Sequence, residues 1–324
     1  MKKALAILMA SAMALSLVAC GGSSSSAPAA SSAAAASSAA STAAKGDTYK
    51  VYLITMDQMD QHWVNMDKGC QKAASELGNV DYKWTAPDVK DDAKQIECIN
   101  NAVADGADAI LLAANGPDAD VAALKEAQAA GVKIVYVDSP ANLPAIKTFA
   151  TNNEAAGKTA GDQLLKALTD KGVTSGKIGI INTNAATTST VDRETGFRAA
   201  FKDSKFELLE TQYSEGDAAK SKDIATNYIA QGCVGIFGTN EGSTVGTGNA
   251  IKEDGGDVIG VGFDKSDTIL GLIKDGTLLC AMAQNPDKMG YEGIKAAVAA
   301  LDGSDAGDGS TVDTGVTVLT KDNI

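Results

Sequence analysis

Several features that enzymes depend on are missing from this chain of 324 residues. It contains a single histidine, His62, and it lacks a glycine-rich phosphate loop, a nucleophile elbow and a metal triad. A catalytic function is therefore disfavoured, and the sequence predicts neither a cofactor nor a metal ion. Paired carboxylates in a cleft leave glycoside hydrolysis as the enzymatic alternative.

Basic residues are also in short supply. Lysine and arginine number 28 against 41 aspartates and glutamates, which gives a formal net charge of −13. A chain this acidic has no electrostatic footprint for nucleic acid.

The five cysteines show no metal-type spacing. The sequence predicts that four of them are small buried side chains, with a disulfide as the alternative that export would permit. These four are Cys70, Cys98, Cys233 and Cys280.

Long apolar runs are confined to the beginning of the chain. Lys2 and Lys3 precede an uncharged stretch, Ala4 to Val18, which is short for a membrane span. Leu17-Val18-Ala19-Cys20 follows and resembles the lipobox of bacterial lipoproteins, in which the cysteine is acylated. Residues 1–20 are therefore predicted to be a lipoprotein signal peptide with lipid on Cys20, and an ordinary cleaved signal is the alternative.

Serine, alanine and glycine make up almost all of the next segment. Such a composition cannot bury enough apolar surface to offset the entropy of ordering, so residues 21–47 are predicted to be a disordered tether. A flexible linker of this length spans roughly 25–30 Å on average. The sequence thus predicts an extracytoplasmic domain held near the cell membrane by its lipid.

Short apolar runs alternate with amphipathic segments over the rest of the chain, which predicts parallel sheets covered by helices on both faces. Two five- or six-stranded sheets suit the length better than one wide sheet. Predicted strands are Tyr49–Thr55, Tyr82–Thr85, Ala109–Ala113, Lys133–Val137, Lys177–Asn182, Phe206–Tyr213, Val234–Gly238, Val258–Phe263 and Leu279–Ala283. Predicted helices are Trp63–Leu77, Asp91–Ala104, Ala119–Ala130, Ala155–Leu168, Gly196–Lys202, Ala218–Ala230, Ser243–Glu253, Asp267–Lys274 and Pro286–Leu301.

Polar side chains cluster directly after several of these strands, where ligands bind in open α/β sheets. Carboxylates accept hydrogen bonds, amides donate and accept them, and a guanidinium donates in a planar fork. The clusters are Asp60-Gln61-His62-Trp63, Val137-Asp138-Ser139, Arg193 with Gly196-Phe197, Asn240-Glu241, Val261-Gly262-Phe263-Asp264 and Gln284-Asn285-Pro286-Asp287.

In their order along the chain these clusters resemble the ribose- and galactose-binding family of periplasmic-type solute receptors. The resemblance implies the type I periplasmic-binding-protein fold, with two Rossmann-like lobes, parallel sheets and a hinge of three crossings. It places the N-lobe at residues 48–150 plus 285–313, and the C-lobe at residues 151–284 plus 314–324. It further implies a monomer that delivers a small neutral sugar or polyol to the permease subunits of an ABC importer.

The same resemblance implies a set of ligand contacts in the cleft. Trp63 is expected to stack on the apolar face of a sugar, and His62 is expected to form part of the cleft wall. The full set is Asp60, His62, Trp63, Asp138, Ser139, Arg193, Asn240, Asp264 and Gln284.

Three positions depart from the ribose binders. Ser139 stands where they carry an arginine, Asp60 where they carry an asparagine, and Gly216 where a second stacking aromatic residue is expected. We therefore expect room for a ligand larger than ribose, or differently shaped. The formal charge of the site would also be negative, which disfavours an anionic ligand. An amine-bearing sugar remains open as an alternative to a neutral one.

Two other functions share this architecture. A sugar-responsive repressor would need a DNA-binding head, whereas here a signal and tether occupy that place. A lipoprotein receptor that presents a sugar, a signalling furanose or a nucleoside to a sensor kinase remains the alternative to transport.

Overall fold

The computed structural model describes residues 48–324. The predicted signal peptide (residues 1–20), the lipidation site Cys20 and the predicted tether (residues 21–47) lie outside the described residues. None of the helices within residues 48–324 is long and apolar enough to cross a membrane.

Strands and helices alternate along the described chain. The strands are β1 (Tyr49–Ile54), β2 (Val80–Thr85), β3 (Ala109–Leu112), β4 (Lys133–Val137), β5 (Thr148–Ala150), β6 (Gly176–Asn182), β7 (Phe206–Leu208), β8 (Gln212–Tyr213), β9 (Cys233–Gly238), β10 (Ile259–Phe263), β11 (Leu278–Gln284), β12 (Thr311–Asp313) and β13 (Val316–Thr320). The helices are α1 (Gln61–Leu77), α2 (Asp92–Ala104), α3 (Val121–Ala129), α4 (Asn153–Asp170), α5 (Thr188–Ala200), α6 (Ala218–Ala230), α7 (Glu241–Asp254), α8 (Asp267–Lys274) and α9 (Pro286–Leu301).

The first sheet is six-stranded, in the order β12-β5-β4-β3-β1-β2, and all of its strands are parallel. Its central strand β3, Ala-Ile-Leu-Leu, is buried at every residue, as expected for a strand with helices on both faces. Helix α9 packs against α1 and β4 and so belongs to this sheet. We call this unit the N-lobe.

The second sheet is seven-stranded, in the order β13-β11-β10-β9-β6-β7, with β8 also paired to β6. Its strands are parallel except for β13, which runs antiparallel to β11 at the edge. Helix α4 packs against α5 and β10 on this sheet. We call this unit the C-lobe.

The chain crosses between the lobes three times. It leaves the N-lobe sheet after β5, returns after β11, and leaves again in the short connection between β12 and β13. Three adjacent connections of this kind form a hinge about which the lobes can move as rigid bodies.

Glycines bring α4 and α5 unusually close together in the C-lobe. A Cβ on Gly157 would lie 2.0 Å from the carbonyl oxygen of Arg193, and one on Gly196 would lie 1.9 Å from that of Glu154. No side chain fits at either position without moving a helix. The pair therefore allows the close approach of the two helices at the turn that carries Arg193.

The structure differs from the predicted elements mainly at short or edge segments. Helix α1 begins two residues before the predicted start at Trp63, and α5 begins at Thr188 rather than Gly196. The predicted strand Phe206–Tyr213 is two short strands, β7 and β8. Strands β5 and β12, of three residues each, were not predicted because so short a run has no readable periodicity.

All four described cysteines are free thiols, so the alternative of a disulfide is wrong for residues 48–324. Cys70, Cys233 and Cys280 are buried as predicted, whereas Cys98 is only half-buried. Cys98 lies towards the exposed side of α2, where the thiol packs on the edge of a core cluster.

Candidate functional site

Two aspartates at strand ends form the centre of the cleft. Asp138 follows β4 in the N-lobe and Asp264 follows β10 in the C-lobe. Both adopt the left-handed backbone conformation, with φ of 63° and 76° respectively. Such a conformation is unfavourable for a residue other than glycine and is often found at functional sites.

His62 lies between these two carboxylates. Its Nε2 is 3.1 Å from Oδ1 of Asp138, and its Nδ1 is 3.5 Å from Oδ1 of Asp264. Burial by itself would lower the pKa of His62, but the contacts with Asp138 and Asp264 outweigh burial and raise that pKa to about 10. The two carboxylates therefore favour the protonated imidazole, and His62 links one lobe to the other.

Arg193 enters the cleft from α5. Its Nε donates to Oδ1 of Asn153 at 2.8 Å, and its Nη1 donates to the carbonyl of Thr239 at 2.9 Å. The guanidinium also lies over the ring of Phe263, 4.2 Å from the centroid. Its remaining nitrogen, Nη2, is 3.8 Å from Oδ1 of Asp138, too far for a hydrogen bond.

Two amide side chains complete the C-lobe part of the site. Asn240 caps α7 through its oxygen, which accepts from the backbone N–H of Ser243, so its Nδ2 stays available. Gln284, at the end of β11, donates from Nε2 to Oδ1 of Asp264 at 2.6 Å and accepts from Thr151 Oγ1 at 2.9 Å. Both side chains are thus held rigidly by neighbours.

One cavity lies between the lobes at this point, and all of the predicted site residues except Ser139 line it. The cavity measures about 20 Å³, roughly the space of one water molecule. A monosaccharide is larger, so it fits between the closed lobes only after side chains such as His62 have moved. The lining is Met56, Asp60, His62, Trp63, Lys90, Asp138, Thr183, Ser189, Thr190, Arg193, Asn240, Asp264 and Gln284.

Ser139 does not line the cavity, contrary to expectation. The left-handed turn at Asp138 brings the N–H of Ser139 within 2.7 Å of the carbonyl of Val137. The Ser139 hydroxyl instead accepts from the backbone N–H of Ser189 at 3.4 Å, a weak contact to the C-lobe. Ser139 therefore contributes to the interface between the lobes and not to the cavity lining.

Lys90 is the main lining residue that the sequence did not indicate. It lies in the loop between β2 and α2, and its ammonium forms ion pairs with Asp57 and with Asp60, the latter at 3.0 Å. Burial would lower the pKa of Lys90, but the charges of Asp60 and Asp57 raise it above its ordinary value. Its neighbours Asp88, Asp91 and Asp92 make the segment resemble a solvated charged loop.

Lys90 and His62 change the expected charge of the site. The lining carries three carboxylates, Asp60, Asp138 and Asp264, together with the basic side chains of Lys90, His62 and Arg193, and Lys90 is shared with a fourth carboxylate, Asp57. Lys90 and His62 therefore offset part of the negative charge that Arg193 alone would leave. The expected extra room at Gly216 is wrong, because a Cβ there would lie 2.8 Å from Nζ of Lys90.

Several buried polar atoms that line the cavity have no hydrogen-bond partner among residues 48–324. They are Nε1 of Trp63, Nη2 of Arg193, Nδ2 of Asn240, the hydroxyl of Thr183 and Nε2 of His62, which contacts Asp138 without the geometry of a hydrogen bond. A buried polar group without a partner costs about 1–3 kcal/mol. Five such groups around one cavity are of the kind that oxygen acceptors of a bound molecule would satisfy.

A larger groove of about 840 Å³ lies along α1, α8, α9 and β13. It shares only His62, Asp264 and Gln284 with the small cavity, and its other lining includes four lysines, Lys68, Lys72, Lys265 and Lys288. The small cavity is the better candidate because the unpartnered donors line it. Within residues 48–324 no group of three or more His, Cys, Asp or Glu side chains is placed to hold a metal ion.

Solved structures of similar sequence share this fold. An ABC transporter solute-binding protein from Agrobacterium vitis with bound D-fucose aligns with a TM-score of 0.80 and 31% identity, over 85% of this chain and 96% of that one. A carbohydrate transporter solute-binding protein from Agrobacterium radiobacter in complex with D-arabinose gives 0.79 and 30%, over 85% and 95%. The expected type I periplasmic-binding-protein fold with two lobes is confirmed.

Sequence comparison leads to the same group of proteins. The ribose import binding protein of Haemophilus influenzae is 30% identical over 266 residues, which cover 81% of this chain and 88% of that protein. The model of the periplasmic binding protein domain family matches residues 51–305. The chain belongs to the periplasmic binding protein domain family, a family of solute-binding proteins.

Proposed function

We propose that this chain is an extracytoplasmic solute-binding protein that captures a small neutral sugar or polyol between its lobes and delivers it to an ABC importer. The observation that carries the proposal is the set of unpartnered buried donors around one cavity, including those of Arg193 and Asn240. Sugar hydroxyl and ring oxygens are acceptors of the kind these donors require.

The remaining chemistry of the cavity also suits a sugar. Gln284 provides a buried amide, and Asp138 and Asp264 offer acceptors to hydroxyl groups once His62 moves. The indole of Trp63 is 4% exposed and can cover the apolar face of a pyranose or furanose. Because Asp60, Asp138 and Asp264 already face Lys90 or His62, a neutral ligand adds no buried charge that needs a partner.

The relatives support a monosaccharide. One is named for ribose import, and two of the similar structures are described with bound D-fucose and D-arabinose. One of these structures is named as part of an ABC transporter, which supports delivery to permease subunits. We infer that the chain works as a monomer. We also infer that it binds its ligand without chemical conversion, because the groups around the cavity are hydrogen-bond donors and acceptors suited to holding a polar molecule.

Membrane attachment is proposed from the sequence. Leu17–Cys20 has the lipobox pattern, and lipid on Cys20 would hold the two lobes near the membrane through residues 21–47. An importer receives solute at the membrane surface, so such an anchor keeps the binding protein close to its permease.

A thermal-shift screen of residues 48–324 against D-ribose, D-arabinose, D-fucose, D-allose, inositols and D-glucuronate tests the ligand class. A ligand at about 100 times its Kd should stabilise the protein by about 2.7 kcal/mol. We expect the neutral sugars to raise the melting temperature more than glucuronate does. If glucuronate alone does so, the proposed neutral ligand is wrong.

Calorimetry on Arg193→Ala then tests the site with the best sugar from the screen. A hydrogen bond to a charged group is worth roughly 1.5–3 kcal/mol, so affinity should fall about ten- to a hundredfold or more. Lys202→Ala, at an exposed position just beyond the end of α5, is the control and should bind like the parent. Unchanged binding by Arg193→Ala would place the site elsewhere.

A further inference from the structure

Lys90 occupies the part of the cleft that Gly216 leaves open. The side chain of Lys90 comes from the N-lobe and is only 6% exposed, whereas Gly216 belongs to the C-lobe loop between β8 and α6. We propose that Lys90 is a specificity-determining residue, whose ammonium fills the space beside Gly216 and limits the size of the ligand. This inference rests on the proposed sugar-binding function.

Two carboxylates hold the lysine in place. Its Nζ donates to Oδ2 of Asp57 and to Oδ2 of Asp60. Asp57 is itself fixed, because its Oδ1 accepts the backbone N–H groups of Met59 at 2.6 Å and Asp60 at 3.2 Å. A lysine side chain normally keeps several rotamers, and two buried ion pairs remove that freedom. Lys90 is therefore a rigid wall of the cavity.

Gly216, which belongs to the C-lobe, lies directly against the end of the Lys90 side chain from the N-lobe. A Cβ on Gly216 would lie 2.8 Å from Nζ of Lys90 and 2.9 Å from its Cε, closer than real Cβ atoms approach heavy atoms. It would also lie 3.0 Å from Nδ2 of Asn240. The lysine can take this position only because residue 216 has no side chain, so the two residues depend on each other.

This arrangement gives Lys90 a second effect on the ligand. An ammonium group has three donors, and two of them are used by Asp57 and Asp60. The third, with the unpartnered Nδ2 of Asn240, is available to a ligand oxygen at this end of the cavity. A substituent larger than a hydroxyl would meet the lysine stem there.

The first test measures ligand size. Kd values are measured by calorimetry for the best-binding sugar of the panel and for its mono-O-methyl ethers, one ether at each hydroxyl. For each ether we take the ratio of its Kd to that of the unmodified sugar. In Lys90→Ala we expect this ratio to fall at least tenfold, for at least one ether, below its value in the parent protein. Lys94→Ala, an exposed lysine paired with Asp88, is the matched control and should leave every ratio unchanged. If no ether gains in Lys90→Ala, the lysine does not limit size and the proposal is overturned.

The second test is a double-mutant cycle between Lys90 and Gly216. Gly216 has a φ of +74°, so Gly216→Ala is strained in any background, and the cycle cancels this common cost. We expect Gly216→Ala to weaken sugar binding at least threefold more in the parent than in Lys90→Ala. If Gly216→Ala weakens sugar binding by the same factor in both backgrounds, the proposed contact between Lys90 and residue 216 is refuted.

Lys90→Ala leaves two buried carboxylates without their cation and can impair folding. The size test and the cycle are therefore repeated with Lys90→Ala combined with Asp57→Asn, which removes one of these carboxylates. A parent protein that binds none of the sugars would refute the proposed function instead. In that case the cycle is measured on melting temperatures without sugar, where equal effects of Gly216→Ala would again overturn the Lys90 contact.

Discussion

The carboxylate of Glu241 in the C-lobe accepts a hydrogen bond from the backbone N–H of His62 in the N-lobe, with Oε2 3.0 Å from the nitrogen. Its other oxygen accepts from the N–H of Gln61, also at 3.0 Å. Asp60, the N-cap residue of α1, makes no capping bond with its own side chain. The first turn of α1 is therefore capped by the opposite lobe, which favours closure.

Glu241→Ala should destabilise the closed arrangement of the lobes. A lost cap typically costs about 1 kcal/mol, with values of 0.5–2 observed. Because sugar binding requires closure, calorimetry should show a Kd increase of about two- to thirtyfold. Small-angle scattering should show a larger mean radius of gyration for Glu241→Ala at subsaturating sugar.

Glu253→Ala provides the matched control, since Glu253 lies on the same helix but is exposed and pairs only with Lys222. Glu241→Gln keeps a carbonyl acceptor and should lie between Glu241→Ala and the parent. If Glu241→Ala binds sugar with the parent Kd, the capping contact does not contribute to closure.

Protonation of His62 should make stability depend on pH in the alkaline range. The pKa of His62 is raised to about 10 in the structure from an ordinary value of 6.5, because the opposing effect of burial is outweighed by Asp138 and Asp264. The stabilisation is complete below about pH 6.5 and is lost as pH rises through about 10. Chemical denaturation at several pH values should show a steeper fall for the parent than for His62→Gln. Parallel curves would contradict the buried cation.

The ionisation of Asp120 should change stability with pH in the direction opposite to that of a salt-bridged carboxylate. It is fully buried, and neither of its oxygens has a partner among the described residues. Burial, and secondarily the charge of Asp92, raises its pKa to about 7. The proton favours the folded state, so this carboxyl lowers the free energy of unfolding as pH rises from about 4 to about 7.

Asp120→Asn should therefore be more stable than the parent at pH 8, by on the order of 1 kcal/mol, and close to it at pH 4. Urea denaturation at both pH values measures the difference. Asp118→Asn, two residues earlier and exposed, is the control. A loss of stability at pH 8 would mean that the carboxylate of Asp120 has a stabilising partner.

Gly157→Ala should destabilise the C-lobe because its Cβ would lie 2.0 Å from the carbonyl oxygen of Arg193. Separating α4 from α5 should cost about 1–3 kcal/mol and also shift Arg193, so both the melting temperature and the sugar affinity should fall. Gly271→Ala is the control. It lies on the exposed side of α8 with nothing within 4 Å of a Cβ, and it should be stabilising by about 0.5–1 kcal/mol. Equal melting temperatures for the two variants would contradict the close helix contact.

Cys20→Ser should abolish lipid attachment, because the serine offers no thiol for acylation. Metabolic labelling with a radioactive fatty acid followed by immunoprecipitation measures this. Cys70→Ser, a buried thiol in α1, is the control and should still be labelled. Labelling of Cys20→Ser would show that the lipobox interpretation is wrong.

The alternation of strands and helices could be predicted from the sequence because it rests on local patterns. A buried strand such as β3 is a continuous apolar run, and a helix end such as α1 at Gly78 carries a glycine in the left-handed conformation. The strand-end positions of Asp138 and Asp264 followed from the same patterns. Strands β5 and β12 did not, since each has only three residues and is defined by its pairing with neighbouring strands.

The sequence by itself determined which residues lie at the carboxyl ends of the strands, and hence most of the cavity lining. It could not determine the charge, the free space or the links between lobes. Lys90 is buried only because Asp57 and Asp60 surround its ammonium and Gly216 from the other lobe leaves it space. Glu241 contacts α1 across 179 residues of chain. Such contacts depend on how the two lobes face each other. They cannot be predicted from the sequence because no local periodicity encodes the distances between separate sheets.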